Sequence, residues 1–248
     1  MTLSRFIARR GLPSVVYCDN GKNFVSAAKE ISTFLNSNKN SIADFAAQKG
    51  IEFKFSPVYA PHFNGLVEAG VKSAKFHLQR ILGNNHLTFE ELSSMFAQIE
   101  AILNSRPLCP LSTSPLDFQA LTPGHFLIGR PLTSLPTPSL IDINFNRLDR
   151  FQRLEQLRQH FWQRWANEYI SQLQQRTKWR VKSNELKLND LVLLKEDTSP
   201  LHWRLGRVHQ IFPGPDGVPR VADISTTNGI MRRALNRICL LHRPDDEC

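Results

Sequence analysis

Hydrophobic and polar residues change their spacing once between Ile51 and Leu82. Ile51, Phe53 and Phe55 alternate with polar residues, which is the period of a half-buried strand. Beyond a loop with two prolines, apolar residues recur every three or four positions, the pattern of a helix with one side toward a core. Those apolar positions are Val67, Val71, Ala74, Leu78 and Leu82. The stretch therefore predicts a strand, a loop and an amphipathic helix.

The polar side of this predicted helix carries one acid ahead of two bases. Glu68, Lys72, Lys75 and Gln79 follow one another at spacings of four, three and four residues, so their side chains stack on one side. The simplest interpretation is an exposed Glu–Lys ion pair, which contributes a few tenths of a kcal/mol, about 0.3–0.5.

A second acid gives this pattern another meaning. The short apolar run Val15–Cys18 predicts a buried strand that ends at Asp19. The carboxyl end of a strand is where α/β proteins place chemistry, although Asp-Asn-Gly is also an ordinary turn signal. If the fold brings Asp19 and Glu68 together, the two carboxylates suit a hard divalent cation.

The rest of the chain divides into helices followed by short strands. An amphipathic helix is predicted over 23–35 and a second, shorter helix over 41–50. Another begins at Thr88, where Thr88 and Glu91 form a capping box, and stops before Pro107. A long helix over 148–179 has its aromatic residues at core spacing. After it, turn signals at 213–217 and 228–229 separate five strand-like segments, which predicts a small SH3-like barrel.

Seven prolines between Ser105 and Ser139 predict a segment without regular structure. Proline removes a backbone donor and fixes φ, so this density works against both a sheet ladder and a helix. The segment is either a linker between domains or an extended arm that lies on a neighbouring element. His62 and His125, in or beside loops, are interpreted as surface residues because neither has a partner at ligand spacing.

Composition favours a polyanionic partner. The formal net charge is +9, and nine Lys or Arg stand against three acids between Arg147 and Lys182. Nucleic acid is therefore expected before membrane, since no apolar run is long enough to cross a bilayer. The four cysteines lack the spacing of a metal site or a disulfide framework, which indicates a reducing, intracellular compartment.

Four strings of this sequence resemble the integrases of Pao/BEL retrotransposons: DNGKNF from Asp19, PHFNGLVEAGVKSAK around Glu68, NSRPL at 104–108 and WRLGR at 203–207. The resemblance implies an RNase H-like core in which two Asp and one Glu hold two Mg²⁺ (or Mn²⁺) ions. Asp19 would be the second acid and Glu68 the third. The first acid, the strands that carry it and the preceding zinc-binding domain have no counterpart in the 248 residues.

The resemblance also implies the DNA contacts and the domain order. Residues expected at DNA are Asn64, Lys72, Lys75, Arg204, Arg207, Arg232 and Arg233. The expected order is a partial α/β RNase H-like core over 1–108, a proline-rich linker or arm over 109–146, a basic helix over 147–182 and an SH3-like barrel over 183–243.

Three interpretations of function remain open. The first is a metal-dependent polynucleotidyl transferase that joins the 3′-hydroxyl of an element's DNA end to target DNA, inactive alone because one acid is missing. The second is a DNA-binding remnant without catalysis. The third is an integrase whose upstream part the gene model omits. All three imply DNA as the partner and a nuclear location, and the resemblance adds self-association. Neither a membrane nor a small-molecule substrate is expected.

Overall fold

The computed structural model describes residues 2–18, 25, 26, 29, 30, 33, 51–55, 65–83, 85–174, 186–215 and 217–243. It is a mixed α/β structure. The chain divides into two compact units, Met1–Ser73 and Ala74–Cys248. The predicted domain boundaries at residues 108, 146 and 182 stay predictions.

The first unit contains a helix and a parallel pair of strands. Helix α1 (Thr2–Arg10) ends at Gly11, and strands β1 (Val15–Cys18) and β2 (Glu52–Phe55) pair with Val16 opposite Phe53. Both strands were predicted from their apolar patterns, and both form. Because the pair is parallel, Cys18 and Phe55 end at the same edge. The described positions of the predicted helix 23–35 are helical, whereas 41–50 lies outside the described residues.

Two helices follow with the start and stop signals that their sequences contain. Helix α2 (Gly65–Leu82) is the predicted amphipathic helix, and helix α3 spans Phe89–Asn104. The capping box of α3 is confirmed: the Thr88 hydroxyl accepts from the Glu91 amide, and the Glu91 carboxylate accepts from the Thr88 amide at 2.7 Å.

The proline-rich stretch is more structured than its composition predicts. Strands β3 (Cys109–Pro110) and β4 (Ala120–Leu121) pair, and helix α4 (Pro123–Ile128) follows. The expectation of no ladder and no helix is wrong here for a positional reason. Proline is tolerated in the first turn of a helix, where its missing N–H has no intrahelical partner.

Helix α5 (Arg150–Leu173) carries the core of the second unit. Its aromatic residues are buried, with Phe161 at 0% exposure, and they pack with Met95, Ile99 and Ile102 of α3. The core interpretation of this aromatic pattern is confirmed, except that Phe151 at the first turn is exposed. The predicted helix was longer, and residues 175–185 lie outside the described part.

Polar side chains of α5 hold the second half of the proline-rich stretch. The Gln159 side chain accepts from the Leu140 amide at 2.8 Å and donates to the Pro138 carbonyl at 2.8 Å. Gln156 donates to the carbonyls of Leu140 and Ile143. Both glutamines are buried, so their amides replace water as partners of the extended backbone. Residues 137–143 therefore form an extended arm that lies on α5, which is the second of the two alternatives for this stretch.

Five antiparallel strands form the last part of the chain, as predicted. They are β5 (Leu191–Leu194), β6 (Leu205–Pro213), β7 (Pro219–Thr226), β8 (Gly229–Ala234) and β9 (Ile238–Leu240). Their order is β8-β7-β6-β5-β9, and within the described residues β8 and β9 share no ladder. The closed barrel of the prediction is therefore not formed. The sheet instead curls around a core of side chains to which both edge strands contribute, β8 with Met231 and β9 with Ile238 and Leu240.

Strand β5 is covered on both faces. Leu191 and Leu193 pack with Ile170 of α5, whereas Val192 and Leu194 pack inside the curled sheet with Val208 and Ile224. A strand buried on both faces reads as a continuous apolar run, and LVLL is such a run. Helix α5 and the sheet consequently form one folded body.

Candidate nucleic-acid interface

One side of helix α2 presents an acid and two bases to solvent. Glu68, Lys72 and Lys75 are all exposed, at the four- and three-residue spacing that the sequence predicts. Among the described residues, none of the three makes an ion pair. The simple Glu–Lys pair is thus not formed, and no described residue occupies these three charged groups. Asp19 and Asn64, also predicted at this site, lie outside the described residues.

Of the two acids predicted to hold a metal ion, only Glu68 lies among the described residues. Its carboxylate is exposed on α2, and Cys18, the residue before Asp19, is the last residue of β1. Within the described ranges, no three Asp, Glu, His or Cys side chains lie close enough to hold a metal ion. The two-carboxylate site stays a prediction.

The opposite side of α2 is anchored by a buried histidine. His77 is 5% exposed, and its Nε2 lies 2.5 Å from Oε2 of Glu168 on α5. A carboxylate only accepts, so Nε2 carries the proton, and Nδ1 is buried without a partner among the described atoms. The ring also meets Phe161 edge-to-face at 6.1 Å. His77 has its place in the core, and the sequence analysis did not single it out.

Arg232 and Arg233, both predicted at DNA, are paired within the sheet. Arg232 donates to both oxygens of Asp223, at 2.7 and 3.0 Å, and stacks over the Phe212 ring at 4.3 Å. The hydrogen bond from Arg232 lowers the pKa of Asp223. Arg233 donates twice to Glu196. A DNA phosphate would have to compete with these carboxylates, so neither arginine is a free cationic contact.

Arg207 is a structural residue of the sheet. It is 5% exposed, and its guanidinium donates to the carbonyls of Ser112, Asp117 and Asn189 at 2.7–2.9 Å. The guanidinium presents five donors in a rigid planar fork, which holds these three carbonyls in a fixed arrangement. Arg207 thereby ties the 112–117 turn to strand β6 and does not reach solvent. The prediction that it contacts DNA does not fit this burial.

Trp203, the first residue of WRLGR, joins that string to NSRPL. Its Nε1 donates to the Ser105 hydroxyl at 3.2 Å, and its ring packs edge-to-face on Trp162, Trp165 and Tyr169 of α5. Tyr169 donates to the Pro107 carbonyl at 2.5 Å, and its burial raises its pKa to about 12. Both strings therefore serve the same core. Sequence reasoning missed this contact because almost a hundred residues separate the partners.

Arg204, the remaining predicted contact, lines a pocket beside Trp203. Its Nε lies 3.8 Å from Oε2 of Glu196, the carboxylate that also accepts from Arg233. The pocket also borders Asp197, so its surroundings carry charges of both signs. This arrangement gives Arg204 less attraction for a phosphate than an isolated cation would have.

The arginines of α5 are likewise occupied, with one exception. Arg150 pairs with Glu91, Arg153 donates to the Leu148 carbonyl, and Arg158 pairs with Glu155 in a buried contact. The hydrogen bond from Arg150 lowers the pKa of Glu91 to about 2. Only Arg164 is exposed without a hydrogen bond or ion pair among the described residues. Over Arg150–Leu173 the basic face is therefore narrow, and α2 offers the more open cationic surface of these two described helices. The basic residues at 176–182 lie outside the described part.

Comparison with known proteins gives two findings. The model of a family of unknown function (DUF5641) matches residues 149–241, which covers helix α5 and the five-stranded sheet. A chain in a cryo-EM structure of the simian T-cell lymphotropic virus intasome in complex with PP2A regulatory subunit B56 gamma is similar at 15% identity and a TM-score of 0.34. The match covers 98% of this chain and 63% of that one. No curated protein matches.

The described helices include none that is long and apolar enough to cross a membrane.

Proposed function

We propose that this chain is a DNA-binding part of an integrase-type polynucleotidyl transferase, and that the exposed side of helix α2 contacts DNA. The proposal is carried by one observation. Glu68, Lys72 and Lys75 stand one turn apart on one side of α2, all exposed and without ion pairs among the described residues. Two ammonium groups beyond a carboxylate can hold phosphates beside a metal-binding acid.

The charge balance and the sequence strings support the same proposal. A net charge of +9 favours a polyanion, and the DNGKNF and PHFNGLVEAGVKSAK strings resemble the Pao/BEL integrases at the positions of two of their three acids. Strand β1 spans Val15–Cys18, and the proposal takes Asp19, the next residue in the sequence, as one of the two acids. From the same resemblance we propose self-association and a nuclear location.

Mg²⁺ or Mn²⁺ is the proposed cofactor, held by Asp19 and Glu68 together with the third carboxylate that the resemblance implies. The donor set is appropriate, because hard divalent cations take carboxylate oxygens. A bound pair of such ions would supply charge stabilisation to an in-line displacement at phosphorus. Glu68 would hold one ion, while Lys72 and Lys75 would bind and orient the phosphates of the DNA end.

Salt-dependent DNA binding tests the proposed surface. The full chain is expected to bind a labelled 20-base-pair duplex with an affinity that falls as KCl rises, because bound cations release counterions. K72A/K75A should reduce the slope of log affinity against log salt by about two, since each phosphate contact contributes about one. Fluorescence anisotropy over a KCl series gives both values.

A matched double variant controls for net charge. Lys29 and Lys187 are also exposed, and K29A/K187A removes the same two charges from elsewhere on the protein. Its slope should change by less than that of K72A/K75A. Equal slopes for the two double variants would show that α2 is not the contact surface.

Strand transfer tests the catalytic half of the proposal. The purified 248-residue chain is expected to join no DNA end to a target in Mg²⁺ or Mn²⁺, because a two-metal site that lacks one of its carboxylates loses most of its rate. A plasmid-joining assay with labelled donor ends gives the measurement. Joining that is abolished by E68Q would contradict the expected inactivity and establish the chain as an active transferase.

A further inference from the structure

We propose that the contact between the buried His77 and the partly exposed Glu168 is a positioning device that sets which side of helix α2 faces the DNA, so His77 is a positioning residue for Lys75. The inference rests on the proposed function of the α2 surface and adds the element that orients it. Its basis is the contact between His77 and Glu168 and the place of His77 on the helix.

His77 lies opposite the exposed side of α2. Successive helical residues are about 100° apart, so Lys75 and Gln79, two positions before and after His77, point about 200° away from it. The burial agrees, because His77 is 5% exposed while Lys75 and Gln79 are exposed. Glu68 lies nine positions earlier, which is about 180° from His77 on the same helix. The direction of His77 therefore determines the direction of the cationic side.

Apolar contacts alone do not determine that direction. Leu78, Ile81 and Leu82 pack in the core with α3 and α5, but hydrophobic contact is non-directional and permits repacking after a small rotation. Within the described residues, the Nε2–Oε2 contact is the one side-chain hydrogen bond from Ala74–Leu82 to another element, at 2.5 Å. A hydrogen bond restricts both distance and angle, so it selects one rotational setting.

The surroundings of the pair strengthen this restriction. The Glu168 carboxylate is also held by Gln172, whose side-chain amide donates to Oε1 at 3.2 Å. On the other side, the His77 ring is held edge-to-face by Phe161, a fully buried residue of α5. Each of the two side chains is thus held by a further neighbour, and such contacts preorganise the His77–Glu168 hydrogen bond.

The proposal is tested in the duplex-binding assay described above, with full-chain variants at His77 and Glu168 and with one control variant at His86. H77Q places an amide donor near the position of Nε2 and should bind like wild type. H77L removes the donor and should bind three- to tenfold more weakly, with a salt slope smaller by about one. H86L, the same change at an exposed histidine, should leave both values unchanged.

The double variant H77L/E168L separates positioning from stability. Replacing both partners of a hydrogen bond by apolar residues of similar shape can be nearly neutral for stability, so its melting temperature should lie near that of wild type. Its DNA affinity and salt slope should nevertheless stay as low as those of H77L. E168Q, which keeps an acceptor for Nε2, should behave like wild type in both measurements.

Two results overturn the inference. If H77L/E168L or H77L binds with wild-type affinity and slope, the pair does not position the surface. If H77Q fails to restore binding although it melts like wild type, the hydrogen bond is not the cause. Failure of the proposed function looks different, because then K72A/K75A also leaves DNA binding by the wild-type chain unchanged.

Discussion

Replacement of Gly206 by alanine is expected to destabilise the second unit by about 3 kcal/mol or more, which would unfold much of the sheet. An ideal Cβ at this position would lie 2.5 Å from Cγ2 of Ile224 and 2.7 Å from the carbonyl oxygen of Ser225. The Ser225 carbonyl belongs to strand β7, which pairs with β6 through Arg207 and Val208. Relief of the contact would therefore separate two paired strands, and the measurement is the urea midpoint followed by tryptophan fluorescence.

Gly70 is the matched control for this change. It lies in helix α2, is exposed, and an added Cβ would have no atom within 4 Å. Alanine is the better helix former by about 0.5–1 kcal/mol, so G70A should keep or raise stability. A G206A protein with the midpoint of G70A would show that β6 and β7 can separate without loss, contrary to the close approach of the two strands.

The sequence predicts the local elements well because their signals are local. Thr88 and Glu91 are three residues apart, and the capping box that they predict is formed. The apolar run at Leu191–Leu194 predicts a strand, and the aromatic spacing of α5 predicts core residues. In each case the residues that determine the structure lie within a few positions of one another.

The sequence does not show which distant residues a side chain contacts in the fold. Arg207 looks like a cation for DNA, yet it serves carbonyls at Ser112 and Asp117, about ninety residues away. In the sequence, His77 cannot be told from other polar residues of a helix, and only the structure shows its contact with Glu168. Basic residues on a sheet look alike whether they meet a phosphate or an internal acceptor. For Arg207, Arg232 and Arg233 the described partners are carboxylates and carbonyls, which leaves helix α2 as the proposed DNA contact.

A fragment of residues 149–248 is expected not to fold cooperatively, although it contains the whole family match at 149–241. Ile81, Met95, Ile99 and Ile102 cover the buried side of Phe161 and Trp162, and all four lie before the fragment begins. Burial of an apolar side chain contributes about 1.5–3 kcal/mol, so their loss removes about 6–12 kcal/mol. The net stability of a domain is only about 5–15 kcal/mol.

Polar partners are lost from the fragment as well. Two of the three carbonyls that accept from Arg207 belong to Ser112 and Asp117, and the acceptor of Tyr169 is Pro107. Buried donors left without acceptors cost about 1–3 kcal/mol each, which adds to the apolar loss. We therefore expect residues 65–248 to unfold in one cooperative urea transition, whereas 149–248 should bind a hydrophobic dye and lack dispersed amide resonances. A sharp transition and dispersed resonances in 149–248 would mean that the sheet and α5 are stable without the segment from α2 to α4, and that the contacts of Trp203 and Arg207 with this segment are dispensable.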